Sequence, residues 1–148
     1  MEQVNQQLDE VSLFIQRNSK FYEKKFRKME ETGKSISWNW SAFFMGIYWM
    51  IYRKMYFKAG AFCILSLVAS STPYIGAILN IGVLVGIGMY ANALYLDHID
   101  EKIEKAKILY PNEKNEAIQK VGGTNLPIAI IIYGIQIIAI LFVVFLEI

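Results

Sequence analysis

The chain alternates between stretches where apolar residues recur every three or four positions and stretches where charge disappears altogether. Val4, Leu8, Val11 and Ile15 form one periodic stripe, and Tyr22, Phe26 and Met29 form another after a break at Asn18-Ser19. This spacing places each set on one face of a helix, and Gly33 is a natural stop. Two amphipathic helices, or one kinked helix, are expected in an arm over residues 1–37. From Ala59 to Leu96, thirty-eight consecutive residues carry no Asp, Glu, Lys or Arg, and Val121 to Leu146 adds twenty-six more. A hydrocarbon core of about 30 Å takes roughly twenty helical residues, and backbone inside it must satisfy its own hydrogen bonds. The first block is too long for one crossing and suits two short ones. Ser70-Ser71-Thr72-Pro73 divides it, because proline removes an amide donor and disfavours helix at the residue before it. The pattern predicts crossings at about 55–71, 74–96 and 127–146, so that 55–96 is a helical hairpin and 127–148 holds a third span.

The polar connection over 97–126 continues the helical pattern. Ile99, Ile103, Ala106 and Tyr110 make a stripe, and Glu101 with Lys105 is an i to i+4 pair in the favourable orientation. Pro111-Asn112 interrupts it, a short helix over Glu113 to Val121 follows, and Gly122-Gly123 ends that one. Thr124 or Asn125 then caps the last span, with Pro127 in its first turn. Neither polar segment reaches the roughly forty residues at which an unaided core becomes feasible. They must pack on each other, on the membrane or on a partner.

Charge sets an orientation. Arg53, Lys54 and Lys58 flank the first predicted crossing, five lysines lie between Asp97 and Lys120, and the Ser70 to Pro73 turn has no charge. Basic loops stay in the cytoplasm, which places the turn and the C-terminal Glu147-Ile148 outside and the 97–126 connection inside. The first forty residues contain no apolar leader core, so the N-terminus is expected in the cytoplasm.

Ser35 to Tyr56 concentrates eight aromatic residues in twenty-two positions. The uncharged run from Trp40 to Tyr52 is thirteen residues, about 20 Å of helix, too short to cross. One interfacial or re-entrant helix over 38–54 is expected, capped by Ser37 or Asn39 and lying along or dipping into the cytoplasmic face. Trp38, Trp40, Trp49, Tyr52, Arg53, Lys54 and Tyr56 are its expected anchors at anionic headgroups. An aromatic cage for a cationic ligand would need rings converging on one point, whereas these spread around the helix.

Composition agrees with a multi-pass, all-α membrane protein: 55% hydrophobic residues, mean hydropathy +0.32, and a net charge of +2 with no basic stripe to carry nucleic acid. Within the apolar helices, Gly82 and Gly86 have the spacing that lets helices approach closely, either in this chain or in a homo-oligomer. Asn80, Asn92 and Gln136 are amides suited to interhelical hydrogen bonds or, in a rival reading, to a polar path. Cys63 reads as an inert packing group. Asp97, His98, Asp100 and Glu101 place metal-type ligands close together, yet a charged helix leaving a membrane has the same pattern. Gly33-Lys34-Ser35 resembles the end of a phosphate loop, but the required upstream glycine would be Lys28. His98 is the sole candidate base. No catalytic residue, metal or cofactor is expected.

Phe21-Tyr22, Lys25-Phe26, Met29-Glu-Glu-Thr-Gly-Lys34, Ser37-Trp-Asn-Trp40, Ala42-Phe-Phe44 with Gly46, Trp49 and Tyr52-Arg-Lys-Met-Tyr56 resemble the hallmark of the DUF2628 family of small bacterial membrane proteins. The resemblance implies an aromatic segment followed by a few transmembrane helices. Many members also carry an N-terminal zinc ribbon, for which this chain has no cysteines, and members usually have proline where Ile47 stands. The resemblance brings no activity with it. The functional expectation is a non-enzymatic adaptor, scaffold or protective protein of the bacterial inner membrane, working through a membrane-protein partner or a homo-oligomer. An oligomeric pore is the alternative, and a membrane enzyme using His98 the second.

Overall fold

The computed structural model describes residues 2–146, apart from the side chains at 2–6 and 8, and within them every regular element is a helix. The polar arm is two helices, α1 (Glu2–Ile15) and α2 (Ser19–Thr32). Asn18 turns the chain between them in a left-handed conformation that its short polar side chain tolerates, and the Gly33 amide closes α2 on the Glu30 carbonyl. Val11, Ile15, Tyr22 and Phe26 of the predicted stripes are buried, while Val4 and Leu8 lie outside the described side chains.

The aromatic segment is two helices where one was expected. α3 (Trp40–Met45) and α4 (Ile47–Tyr52) fold back on each other at Gly46, whose φ of +52° and ψ of −126° suit a residue without Cβ. Asn39, one of the two expected caps, starts α3 by accepting from the Ala42 amide at 3.0 Å.

Then α5 (Tyr56–Ser70) and α6 (Gly76–Leu109) form an antiparallel hairpin. Lys58 meets Asp97 at one end, and Ser66 and Ser70 meet Asn80 at the other. The turn falls where proline predicted it, with Tyr74 fully exposed. α6 is a single rod of thirty-four residues, about 50 Å. It has no break at Leu96, where the apolar run ends. α7 (Lys114–Val121) returns along it, and α8 (Leu126–Leu146) departs from Asn125, which accepts from the Ile128 amide.

Among the described residues two helices, α6 and α8, are long and apolar enough to cross a membrane, with mean hydropathy of 1.7 and 2.9 over their most apolar eighteen residues. Three such helices were expected. α5 has only fifteen residues, about 22 Å, because the chain spends Ser71 to Ile75 on the turn.

The core explains how the polar segments are held. Ile99, Ile103 and Ala106 of α6 are buried against α1, α2 and α7, whereas Tyr110, at the end of the predicted stripe, is 53% exposed. Gly122 lies so close to Phe14 that a Cβ would stand 2.2 Å from its carbonyl oxygen, and the Gly123 amide donates to that oxygen at 2.7 Å. The arm and the 97–126 connection therefore form one helical cap, as two segments too short to fold alone require.

Candidate functional site

Ser37, Asn39 and Asn92 lock the entry of the aromatic hairpin onto α6. Asn92 is fully buried, donates from Nδ2 to the Ser37 carbonyl at 3.0 Å, and accepts from Asn39 Nδ2 at 2.8 Å. The backbone adds Ser37 N–H to the Met89 carbonyl and Asn39 N–H to the Gly88 carbonyl. The α6 carbonyls were already engaged within the helix, so the extended segment bonds to them from the side, an approach that Gly88 opens. A Cβ there would meet Phe43 at 3.0 Å and Trp38 at 3.2 Å. Gly82 and Gly86, the pair expected to pack in this chain or in a homo-oligomer, have no neighbour within 4 Å of such a Cβ among the described residues. Only backbone spacing made that pair conspicuous; the contact is set by where Asn39 docks.

The next layer is built on Tyr95, fully buried where α2, α4 and α6 meet. Tyr22 and Trp49 present edges to it at 5.1 and 5.8 Å between centroids. Arg53 closes the layer with 2% exposure. Its guanidinium lies 4.7, 5.2 and 5.4 Å from the rings of Tyr22, Tyr95 and Tyr52 and donates to the Arg17 carbonyl and the Tyr95 hydroxyl, both at 3.4 Å. No carboxylate pairs with it among the described residues, and Nε has no hydrogen-bond partner. The π faces of three tyrosines compensate the buried charge. Cation and rings were legible in the sequence, but their convergence was not, since Tyr22 and Tyr95 come from helices far away in sequence.

The expected anchors thus separate. Trp49 and Arg53 are in the core. Lys54, at φ +60°, donates to the Gly122 carbonyl and, at 3.5 Å, to that of Lys120, capping α7. Tyr52 accepts at its carbonyl from the Asn125 amide, and the Tyr56 hydroxyl accepts from Asn125 Nδ2 at 3.0 Å. Trp38 is half-buried, whereas Trp40 is 61% exposed, stacked on Phe44 at 5.8 Å. Ile36, Trp40 and Phe44 are exposed, as are Lys20, Lys24, Arg27 and Lys28 of α2, and Lys25 donates to the Trp38 carbonyl at 3.2 Å.

The three amides occupy three different places. Asn92 faces α3, Asn80 binds Ser66, Ser70 and the Gly76 carbonyl at the hairpin turn, and Gln136 is exposed on α8. Cys63 is exposed on α5, not packed inside.

At the far end of the cap, α1, α6 and α7 leave a cleft of about 590 Å³ lined by Glu10, Asp100, Glu104, Lys107 and Lys114. Glu10 is 5% exposed and held between Lys107 and Lys114. Burial, with Asp97 nearby, pushes the Asp100 carboxyl up. His98 is turned inward against the edge of Phe14, and burial with Lys102 and Lys58 beside it brings its imidazole down to about 4. The Asp97 to Glu101 cluster does not converge on a metal-sized site among the described residues.

The DUF2628 family model, described as a protein of unknown function, matches residues 6–100, more than half of the chain. The chain belongs to this family. The DUF2628 match begins in α1, contains the Asn39–Asn92 lock, the Arg53 cage and the α5–α6 hairpin, and ends inside α6. It leaves out α7 and α8. No curated protein matches, and no solved structure matches.

Proposed function

We propose that this DUF2628 protein is a small scaffold of the bacterial inner membrane that holds a helical cap at fixed height over the cytoplasmic face and offers it to another membrane component. One observation carries the reading: α6 is a single helix whose first part is apolar, with Ile78, Leu79, Ile81 and Leu84 exposed, and whose last part is the spine of the cap. A continuous helix transmits position where a flexible linker would lose it. α5 with the Ser71 to Ile75 turn, α6 and α8 make three traversals, so the N-terminal arm and the 97–126 connection share the cytoplasmic side and the C-terminus lies outside. The α3–α4 hairpin dips into the bilayer from that side. Its exposed aromatics and the basic face of α2 meet the headgroup layer, where anionic lipid is the expected contact.

Non-enzymatic action is part of the proposal. His98, on which an enzyme would depend, is turned into the core beside Phe14. A pore would need Asn80, Asn92 and Gln136 on one path, and within this chain Asn92 is buried against α3, Asn80 lies at the hairpin turn and Gln136 is exposed on α8.

The test is photo-crosslinking in native membranes from Lys102 and Glu104 on the cap, with solute flux measured in liposomes of purified protein. The scaffold reading expects a stoichiometric crosslinked partner and tight liposomes. Leaky liposomes without a partner would replace it with the pore.

A further inference from the structure

We propose that α8 pairs with α8 of a second copy of this chain through Gln136. The inference rests on reading α8 as a membrane span. Gln136 is ten residues from Leu126 and ten from Leu146, about 15 Å from either end of the helix. Its side chain is too short to reach water from that depth. Among the described residues the side-chain hydrogen bonds on this part of the chain end at Asn125, and none involves Gln136.

The chain's own body cannot cover it. Among the described helices α8 touches only α4, where Ala129 is buried and Tyr133 packs edge-on against Tyr48 at 5.1 Å. From Ile135 to Leu146 every residue is exposed. An unpaired amide in hydrocarbon is costly, and an amide across a helix interface relieves that cost.

Gln136 itself argues for a second copy as the occupant. A primary amide carries both donors and acceptors, so it is complementary to itself. Two copies inserted with the same topology place Gln136 at the same depth, and a two-fold axis along the membrane normal brings equivalent residues face to face. Ile132, Ala139 and Val143 share its helix face at three- and four-residue spacing, and the small Ala139 lets the backbones approach. Gly82 and Gly86 are not needed for this contact.

The experiment uses full-length protein carrying Cys63→Ala, with single cysteines placed in turn from Ile132 to Val143, oxidised in native membranes. With Gln136 itself left in place, the proposal expects intermolecular disulfides strongest at 132, 139 and 143 and weak at positions between. In detergent, Gln136→Leu should raise the dimer dissociation constant about tenfold while Gln136→Asn preserves pairing. Membrane-integrated protein that stays monomeric, or whose crosslinks go only to a different protein, overturns the dimer. Protein recovered in the soluble fraction overturns the membrane reading instead, and the two failures are told apart by fractionation.

Discussion

Replacing Asn92 by leucine removes three hydrogen bonds from a fully buried position: two donated to the Ser37 carbonyl and hydroxyl at 3.0 and 3.2 Å, and one accepted from Asn39 at 2.8 Å. Leucine has the same branched heavy-atom skeleton and is somewhat larger, so the loss is polar and not a cavity. Interhelical hydrogen bonds in membrane proteins average about 0.6 kcal/mol, which sets a floor near 2 kcal/mol for three. The upper end comes from what is left behind. The buried Asn39 amide loses its partner, at about 1–3 kcal/mol, whereas the half-buried Ser37 can turn to solvent, and Asn39 also caps α3. A cost of about 2–4 kcal/mol follows, equivalent to roughly 5–15 °C in Tm for a chain of this size. Thermal unfolding of detergent-purified protein, followed by tryptophan emission, measures it, because Trp38 and Trp40 flank the lock. Asn80→Leu is the control. Its network at the hairpin turn is half-exposed, so the drop should be smaller. Equal Tm for Asn92→Leu and wild type, with unchanged emission, would refute the claim that this amide pins the aromatic hairpin.

Further expectations rest on other residues. Gly46→Ala should destabilise by about 1–3 kcal/mol, because φ of +52° with ψ of −126° strains any residue with a Cβ; Leu84→Ala, which clears the 3.1 Å contact, should not restore the Tm. Arg53→Lys should lower the Tm although charge is kept, since an ammonium cannot lie flat over three tyrosine rings; an unchanged melt would show that the cage is incidental. His98, held down to about 4 from an ordinary 6.5, binds a proton more readily in the unfolded chain. Stability should therefore fall as pH drops from 6.5 toward 4 and be insensitive to His98 above that window. Asp100, shifted up, binds its proton more readily in the folded chain and opposes this loss. A melt series in which His98→Gln keeps the same acid slope would contradict the assignment.

The helix boundaries were legible because they depend on local chemistry. Asn18, Gly33, Asn39, Pro73 and Asn125 act within a few residues of themselves, and each marks the end or turn that its backbone preference requires. The division of the aromatic segment was less legible. Gly46 was visible, but whether a glycine interrupts a helix depends on what packs against it, here α6 near Leu84. The site itself was least legible. Arg53 and Lys54 resemble headgroup anchors in sequence, and the burial of Arg53 and the capping contact of Lys54 follow from partners at Tyr22, Tyr95 and Gly122 that no local pattern connects to them. Gly82 and Gly86 carry the stronger spacing signal, yet among the described residues no atom lies within 4 Å of a Cβ there, and the close approach within the chain is at Gly88. Asn92 was recognisable as an interhelical amide, though not as the partner of Asn39.

The measurement closest to the central claim is cysteine labelling in intact and permeabilised cells, with Cys63→Ala as background because Cys63 is itself exposed. A cysteine at Ser71, in the hairpin turn, should react with an impermeant maleimide from outside. One at Asn115, on α7 of the cap, should react only after permeabilisation. Labelling of both from outside, or of Asn115 alone, would contradict a membrane hairpin carrying a cytoplasmic cap.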